Sequence, residues 1–285
     1  SKRTLTNNVS KRPSGDSTPA HELLCIVCCT NSMRNGLTLS CCQVAAALCL
    51  WCFYRHADHS QACVPPGSVS PRVDTAKMMT ALRQTPLPRN RRKVAGQLRG
   101  GPISQGFTLG LAEDFGSGAI VTTRATRVRP ELACTLCQAC REANPNFRFT
   151  SIQVNLNSKY SLHTDGYDAG ASRMISCGDF QGGRLWLHNW HEGTWNAIDA
   201  HDRWIAFDGR EFHMTEDWEG PERYSLVYFT HPGCHREALA SETRRHLEDL
   251  GFPWPAEEDL FKASLPHPSE RRPMAELAFR AACHP

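Results

Sequence analysis

A series of short apolar segments between residues 149 and 230 constrains the fold more than any other feature of the sequence. Turn residues separate these segments at short intervals, which suits antiparallel strands in a sandwich or barrel and does not suit alternating β–α units. The predicted strands are residues 149–157, 161–163, 173–177, 184–188, 194–200, 204–207 and 223–230. We therefore expect a mainly β core in which residues that are distant in sequence meet at one mouth.

His163 and Asp165 are candidate metal ligands within this series. One residue separates them, so on a strand both side chains point to the same face. Two imidazoles and one carboxylate make the facial triad that holds Fe(II) and leaves other positions open, whereas closed zinc sites use thiolates. His213 is the candidate for the second imidazole, because it follows an apolar run and a turn. His201 is a rival, but no Arg-x-Ser follows it at a suitable interval.

Arg223 and Ser225 follow His213 and also share one face of a predicted strand. A guanidinium fork with a hydroxyl beside it matches a carboxylate such as the distal one of 2-oxoglutarate. Alternatively, Arg223 forms a salt bridge with Glu222 or Glu219, and Ser225 is an ordinary inward-facing hydroxyl. Neither alternative explains why the pair follows a histidine at this interval.

Four elements in this order resemble the Fe(II)/2-oxoglutarate-dependent dioxygenase superfamily: His163-x-Asp165, Gly178-Asp-Phe-Gln-Gly-Gly-Arg-Leu, His213 and Arg223-x-Ser225. The run Phe-Thr-Ser-Ile-Gln-Val-Asn-Leu-Asn at residues 149–157 is more particular. It is similar to the branch of ten-eleven-translocation and J-binding-protein (TET/JBP) oxygenases, which oxidise the methyl group of pyrimidine bases, and to their algal and protist relatives. The resemblance covers roughly residues 107–232, less than half of the chain.

This resemblance implies a double-stranded β-helix core, a jelly roll of the cupin type, in a mainly β chain with flanking helices (α+β). The residues that it assigns to Fe(II) are His163, Asp165 and His213. It implies that Arg223, helped by Ser225, anchors the distal carboxylate of 2-oxoglutarate, and that Asn155 faces inward and touches the co-substrate. An algal relative in the same branch uses ascorbate, so ascorbate is an alternative co-substrate.

Three further segments surround the predicted dioxygenase domain at residues 107–232. Segment 1–77 is predicted to be disordered or non-native, and eight of the fourteen cysteines lie in it. The spacings Cys25-x-x-Cys28 and Cys49-x-x-Cys52 raise the hypothesis of a zinc knuckle, although the pattern of a known finger is missing. Segment 78–106 is predicted to be a basic linker. Segment 233–285 is predicted to be a helical extension, with helices at 235–250 and about 274–282.

A further helix is predicted at residues 130–143, within the dioxygenase domain. Pro130 suits a helix start, and apolar residues recur on one face. Cys134, Cys137 and Cys140 fall at three-residue steps on this helix. Such steps drift around one side of a helix, so we expect small buried residues here in preference to a metal site.

Residues 75–112 carry seven basic side chains and no acidic one. They predict either an electrostatic arm for a phosphate backbone or a solvated linker. The basic residues are Lys77, Arg83, Arg89, Arg91, Arg92, Lys93 and Arg99.

Five tryptophans lie between residues 186 and 218. They either fill the core or supply a stacking surface for a base.

The predicted function is oxidation of a methylated pyrimidine base in nucleic acid, with DNA favoured over RNA as the partner. A protein (prolyl-type) or small-molecule hydroxylase shares every iron-site residue and is the alternative. A catalytically inactive nucleic-acid-binding module is a third possibility. The fourteen cysteines show no evident pairing pattern in the sequence, which favours a reducing, intracellular compartment over secretion. The nucleus is favoured for a DNA substrate, and no membrane partner is expected.

Overall fold

The computed structural model describes residues 68–283, apart from residues 93, 94, 115, 167, 238, 261–264 and 266. The zinc-knuckle hypothesis and most of the extension predicted as disordered or non-native therefore fall outside the described residues. The strands are β1 (Val69–Arg72), β2 (Ala95–Gly96), β3 (Gln105–Glu113), β4 (Ile120–Thr122), β5 (Ser151–Leu156), β6 (Lys159–Tyr160), β7 (Ser172–Gly182), β8 (Leu185–Asn189), β9 (Thr194–Ile198), β10 (Arg203–Phe207), β11 (His213–Thr215) and β12 (Trp218–Phe229). The α-helices are α1 (Ala76–Arg83), α2 (Arg124–Val128), α3 (Pro130–Ala143), α4 (Ser241–Asp249) and α5 (Pro268–Cys283).

A seven-stranded sheet forms one wall of the core, in the order β1-β10-β7-β12-β5-β3-β4. Every neighbouring pair in this major sheet is antiparallel. Strand β12 lies in its centre, and Ser225 on β12 stands opposite Asn155 on one side and Ser176 on the other. The two predicted inward-facing positions, Asn155 and Ser225, are thereby placed side by side in the sheet, with Ser176 next to them.

A three-stranded sheet, in the order β11-β8-β9, forms the opposite wall. The chain alternates between the walls: β7 and β10 belong to the major sheet, while β8, β9 and β11 belong to this minor sheet. A bridge between His163 and His213 joins the segment after β6 to the minor sheet. This alternation is a double-stranded β-helix, so the predicted fold class is confirmed.

Apolar side chains from both walls fill the space between the sheets. Met174, Ile205 and Phe207 come from the major sheet, and Leu185 and Leu187 come from the minor sheet. These residues alternate with outward-facing ones, as the twofold period of a strand requires. Burial of this set holds the two sheets together and leaves one end of the interior for polar side chains.

The outer face of the major sheet is covered by helices α1 and α3. Leu136 and Cys140 of α3 pack with Ile152 and Tyr228 of the sheet in one buried cluster. The predicted helix at 130–143 is confirmed as Pro130–Ala143. Cys137 and Cys140 are buried as expected, whereas Cys134 is exposed.

Ordered structure begins before the predicted domain boundary. Strand β1 pairs with β10, and helix α1 lies at the start of the segment predicted as a linker. Met78, Met79 and Leu82 of α1 are buried in the same apolar cluster as helix α3 and the major sheet. These buried contacts explain why α1 is part of the domain. Pro86 and Pro88, which disfavour long regular structure, follow the end of this helix.

The two helices of the C-terminal segment differ in extent from their predicted ranges. Helix α4 begins at Ser241, and a short 3-10 turn at Pro232–His235 precedes it. Helix α5 begins at Pro268 and contains Pro273, although a proline usually starts a helix and does not continue one. Within the described part of the chain, no helix is both long enough and apolar enough to cross a membrane.

Candidate metal centre

The residues predicted as iron ligands meet at the edge of the minor sheet. His163 N donates to His213 O at 3.1 Å, and His213 N donates to His163 O at 2.9 Å. This reciprocal pair places the two imidazole rings 4.2 Å apart, centroid to centroid. Two histidines that are fifty positions apart in the sequence thus become direct neighbours.

Asp165 completes the cluster from the segment that follows His163. One candidate ligand atom of each residue lies within 4.8 Å of the others. Asp165 Oδ1 is 3.7 Å from His163 Nε2, and Asp165 Oδ2 is 3.5 Å from His213 Nε2. Three ligand atoms of the types that make up a facial triad therefore lie close enough together to bind one ion.

A glycine in the turn after β10 makes room for the carboxylate ligand. Asp165 N donates to Gly209 O at 2.7 Å. A Cβ on Gly209 would lie 1.9 Å from Asp168 Oδ2 and 3.4 Å from Asp165 Cβ. Any side chain at position 209 would therefore push against the segment that carries Asp165.

The ring nitrogens that face away from the cluster are held by backbone carbonyls. His163 Nδ1 lies 2.7 Å from Ser161 O, and His213 Nδ1 lies 2.9 Å from Glu211 O. Carbonyl oxygens only accept, so both Nδ1 atoms carry the proton and both Nε2 lone pairs face the cluster. Metal-bound histidines commonly have such an outer partner, and two imidazoles with one carboxylate suit Fe(II). The residues present therefore fit an iron ion.

Electrostatics keep the cluster in the protonation state that a metal needs. Burial, and then the neighbouring His213, lower the pKa of His163 to about 4. Burial alone would raise the pKa of Asp165, but His213 and the Arg92 guanidinium hold it well below its usual range. At neutral pH the His163 imidazole is neutral and the Asp165 carboxylate is ionised, which is the form that binds cations.

Arg223 is a buried cation without an acidic partner among the described residues. Its side chain is 1% exposed, and its guanidinium lies 5.3 Å from the Phe180 ring and 5.1 Å from the Trp218 ring. Nη2 donates to Gly183 O at 2.8 Å, whereas Nε has no hydrogen-bond partner. Burial lowers the pKa of Arg223 to about 10, so the group stays charged at neutral pH.

The salt bridge considered as an alternative for Arg223 is not formed. Glu222 instead pairs with Arg83 at 2.7 Å on the surface. Gly183 has φ +67°, and a Cβ there would lie 2.7 Å from Arg223 Nε. Because glycine has no Cβ, the Arg223 guanidinium can lie directly against the backbone at this position. A buried charge normally has a counter-ion, and its absence from the described residues fits a site for an anionic ligand.

Ser225 and Asn155 belong to a polar network that leads to the metal cluster. Asn155 Nδ2 donates to Ser225 Oγ at 3.3 Å, and Tyr160 OH donates to Asn155 Oδ1 at 2.8 Å. The Tyr160 ring stacks on His163 with centroids 5.4 Å apart. The structure thus brings Ser225 and Asn155 together, and it links both to an iron-ligand candidate.

Sequence reasoning missed Tyr160, Asn90 and Arg92. Tyr160 lies three positions before His163, so proximity to the motif was its only signal. Asn90 Nδ2 donates to Tyr160 OH at 3.1 Å, and Arg92 Nη2 donates to Asp165 Oδ1 at 3.1 Å. Both come from the predicted linker, and no local pattern there indicates contact with a distant site.

The tryptophans and the other histidines are not members of the metal cluster. Trp195, Trp204 and Trp218 are buried, and Trp186 and Trp190 are half-buried, so none of the five presents an exposed ring. Of the two alternatives for this segment, the burial of three rings favours a role in the core for Trp195, Trp204 and Trp218. His201 stacks on Phe180, 4.1 Å between centroids, and is not part of the metal cluster. His231 caps the 3-10 turn, where its Nδ1 accepts from Gly233 N at 3.1 Å.

No family model and no curated protein matches the sequence. Among solved structures, the chain is similar to a 2OG-Fe(II) oxygenase family oxidoreductase from Burkholderia pseudomallei, with 16% identity and a TM-score of 0.40 over 64% of this chain and 88% of that chain. It is also similar to a Pseudomonas putida prolyl-4-hydroxylase, with 16% identity and a TM-score of 0.35 over 59% of this chain and 93% of that one. NgTET1 in complex with 5mC DNA matches with 17% identity and a TM-score of 0.32 over 50% of this chain and 62% of that one. These values are too low to transfer a function, which must come from the chain's own residues.

Proposed function

We propose that this chain is an Fe(II)- and 2-oxoglutarate-dependent dioxygenase. The observation that carries the proposal is a pairing of two features inside one β-helix. His163, Asp165 and His213 bring two imidazoles and a carboxylate within 4.8 Å of one another. On strand β12, Arg223 is a buried cation that has no acidic partner in the described residues.

Iron held by the three residues would supply the activation of oxygen, with 2-oxoglutarate and O2 converted to succinate and CO2 and a substrate C–H bond converted to C–OH. Arg223 binds the distal carboxylate of the co-substrate, because Nε is a buried donor that lacks an acceptor. Ser225 and Asn155, opposite each other on β12 and β5, supply a hydroxyl and an amide beside it. The apolar residues between the sheets exclude water from this end of the site.

The substrate that we propose is a methylated pyrimidine base in nucleic acid, with DNA favoured over RNA. Arg89, Arg91 and Arg99 are exposed, and none forms an ion pair within the described part of the chain. The same segment reaches the metal cluster through Arg92, which contacts Asp165. Phosphates bound along it would therefore lie within a few residues of the metal-binding carboxylate.

A cavity of about 260 Å³ adjoins this segment. Arg89, Asn90 and Ser104 are among the residues that line it, and Asn90 also bonds to Tyr160 of the polar network. A cavity that has one arginine in its lining and a wall connected to the metal-binding network suits a base that has been taken out of its stack. This continuity favours nucleic acid over a peptide as the substrate.

Succinate release from 2-oxoglutarate by the full chain, with Fe(II) and O2, tests the chemistry. His163→Ala should abolish it, and His246→Ala, on the exposed face of α4, should not. Equal turnover in wild type and His163→Ala would refute the iron site. Hydroxylation of a substrate with ascorbate and without 2-oxoglutarate, measured on the substrate itself, would identify the alternative co-substrate and remove the role proposed for Arg223.

Substrate class is tested by comparing stimulation of succinate release by three substrates. DNA that contains 5-methylcytosine should stimulate it most, RNA of the same sequence less, and a proline-rich peptide not at all. Stimulation by the peptide alone would replace the nucleic-acid proposal with a protein hydroxylase. Salt-dependent DNA binding without any succinate release would indicate an inactive binding module.

A further inference from the structure

The C-terminal helix α5 covers the outer face of the minor sheet. Trp195 of β9 donates from Nε1 to Ala275 O at 2.8 Å, and Ala275 is fully buried. The Phe279 ring contacts Trp186 and Trp195 with centroids 5.4 and 5.3 Å apart. These contacts dock the helix on the sheet that carries His213.

Arg271, in the first turn of α5, reaches the segment just before His213. Its side chain is buried, with 1% exposure of the residue. Nη1 donates to Glu211 Oε2 at 3.0 Å, and Nη2 donates to Arg210 O at 2.9 Å. The guanidinium also lies 5.5 Å from the Phe212 ring. One planar fork therefore ties both the side chain and the backbone of this segment to the helix.

Glu211 is in turn the outer partner of His213. Its carbonyl oxygen lies 2.9 Å from His213 Nδ1, which sets the proton on that nitrogen and aims Nε2 at Asp165. His163 is oriented differently, because its Nδ1 partner is Ser161 O, two residues away in its own segment. The carbonyl partner of His213 therefore belongs to a segment that a distant helix contacts, whereas the carbonyl partner of His163 belongs to its own segment.

We propose that Arg271 is a positioning residue for the metal centre. By holding Glu211, it keeps His213 in the tautomer and orientation in which Nε2 faces the metal. This inference rests on the proposed function, because it takes His213 as an iron ligand. Loss of an outer partner of a metal-bound histidine typically weakens metal affinity about 10- to 100-fold. Without Arg271, the Glu211 side chain and the Arg210 carbonyl lose the guanidinium that holds both, so the segment that carries the Glu211 carbonyl is no longer fixed against α5.

Co(II) affinity of the full chain, followed by visible absorption, tests this inference. Arg271→Met keeps the aliphatic stem and removes every donor, so it should weaken Co(II) binding about 10- to 100-fold. Arg272→Met is the matched control, because Arg272 is exposed and pairs with Glu276, at 2.8 Å, on the same helix. It should bind Co(II) as wild type does. Wild-type affinity in Arg271→Met would overturn the inference.

The ring tautomer of His213 gives a second measurement that needs no metal. Nitrogen-15 correlation spectra of the metal-free chain should show a single Nδ1-protonated form for His213 in wild type and a mixture in Arg271→Met. His163 should stay Nδ1-protonated in both, because its partner is local. An unchanged His213 signal in the variant would overturn the inference, whereas a change in both histidines equally would indicate general loosening and also overturn it.

Arg271→Lys serves if the methionine variant does not fold, as judged by circular dichroism. An ammonium cannot bridge the Glu211 carboxylate and the Arg210 carbonyl in one plane, so Co(II) affinity should still fall. Wild-type affinity together with a wild-type His213 tautomer would count against the inference. A wild-type chain that binds no Co(II), or His213→Ala that binds it as well as wild type, would refute the proposed iron site itself.

Discussion

Arg92 donates a hydrogen bond from Nη2 to Oδ1 of Asp165 at 3.1 Å, across 73 positions of the chain. The contact joins a segment outside the β-helix to the carboxylate at the centre of the candidate metal site. The Arg92 guanidinium also lies 5.6 Å from the Tyr160 ring, so it closes one side of the polar network. The basic segment is therefore part of the site's architecture as well as a source of surface charge.

Replacement of Arg92 by Ala should lower succinate formation without nucleic acid about 10-fold, because Asp165 loses the partner that orients its Oδ1. Arg91→Ala is the matched control, since Arg91 is the exposed neighbour and makes no ion pair in the described region. Rates at saturating 2-oxoglutarate measure the effect. Equal rates in the two variants would show that the contact with Asp165 has no catalytic importance.

Combined replacement of Arg89, Arg91 and Arg99 by Ala should weaken DNA binding and flatten its dependence on salt. Each phosphate contact contributes about 0.9 to the slope of log K against log salt concentration. The slope should therefore fall by about 2 to 3 units, while uncoupled 2-oxoglutarate turnover stays at the wild-type rate. Fluorescence anisotropy over a salt series gives the slope. An unchanged slope would exclude the segment from the DNA interface.

Arg223→Met should raise the KM for 2-oxoglutarate and leave the fold as stable as wild type or more stable. A hydrogen bond to a charged group contributes about 1.5 to 3 kcal/mol, which corresponds to roughly 10- to 150-fold in KM. Removal of a buried charge that lacks a partner is often neutral or stabilising for the protein alone. Arg83→Met, which removes an exposed cation beside the same strand, is the control. A lower melting temperature with an unchanged KM would assign Arg223 to structure alone.

His188 should make the fold less stable as pH falls. It is 3% exposed, neither ring nitrogen has a partner in the described residues, and burial and then the Arg271 charge lower its pKa to about 4. The unfolded chain takes up a proton near the ordinary value of about 6.5, whereas the folded chain does so only near 4. Between these values stability should fall by up to about 1.4 kcal/mol per pH unit, and above them this group contributes no pH dependence.

His188→Leu removes that titration without loss of a hydrogen bond. Melting temperatures at about pH 7.5 and about pH 5.5 should therefore differ less in this variant than in wild type. His246→Leu, at an exposed position of α4, should keep the wild-type difference. If His188→Leu keeps the full difference, another buried group governs the acid sensitivity.

Local sequence patterns indicated the β core and the candidate ligands. The alternation and turn spacing of residues 149–230 predicted antiparallel strands, because side chains on a strand alternate with a period of two. The same period placed His163 with Asp165, and Arg223 with Ser225, on common faces. Helix α3 was likewise indicated by Pro130 and its apolar stripe, and the structure agrees with it.

The residues that contact these candidate ligands could not be identified from the sequence, because only the folded chain brings them to the site. Asn90, Arg92 and Arg271 contact the site from segments that carry no motif, because their side chains reach it across sheet edges and not along the chain. The sequence likewise left open whether Arg223 pairs with Glu222, since adjacent residues on a strand point to opposite faces only once the strand is formed.

The sequence by itself determined the types of ligand atom and the sides of the strands on which they lie, because both depend on residue identity and a short-range period. Only the tertiary structure decided which nitrogen of His213 faces the cluster, which cation lacks a counter-ion, and which tryptophans are covered. Each of these depends on the distance between groups that are tens to hundreds of residues apart. Closure of the β-helix and docking of α5 set those distances through burial of apolar surface, which is non-directional and leaves no local signature in the chain.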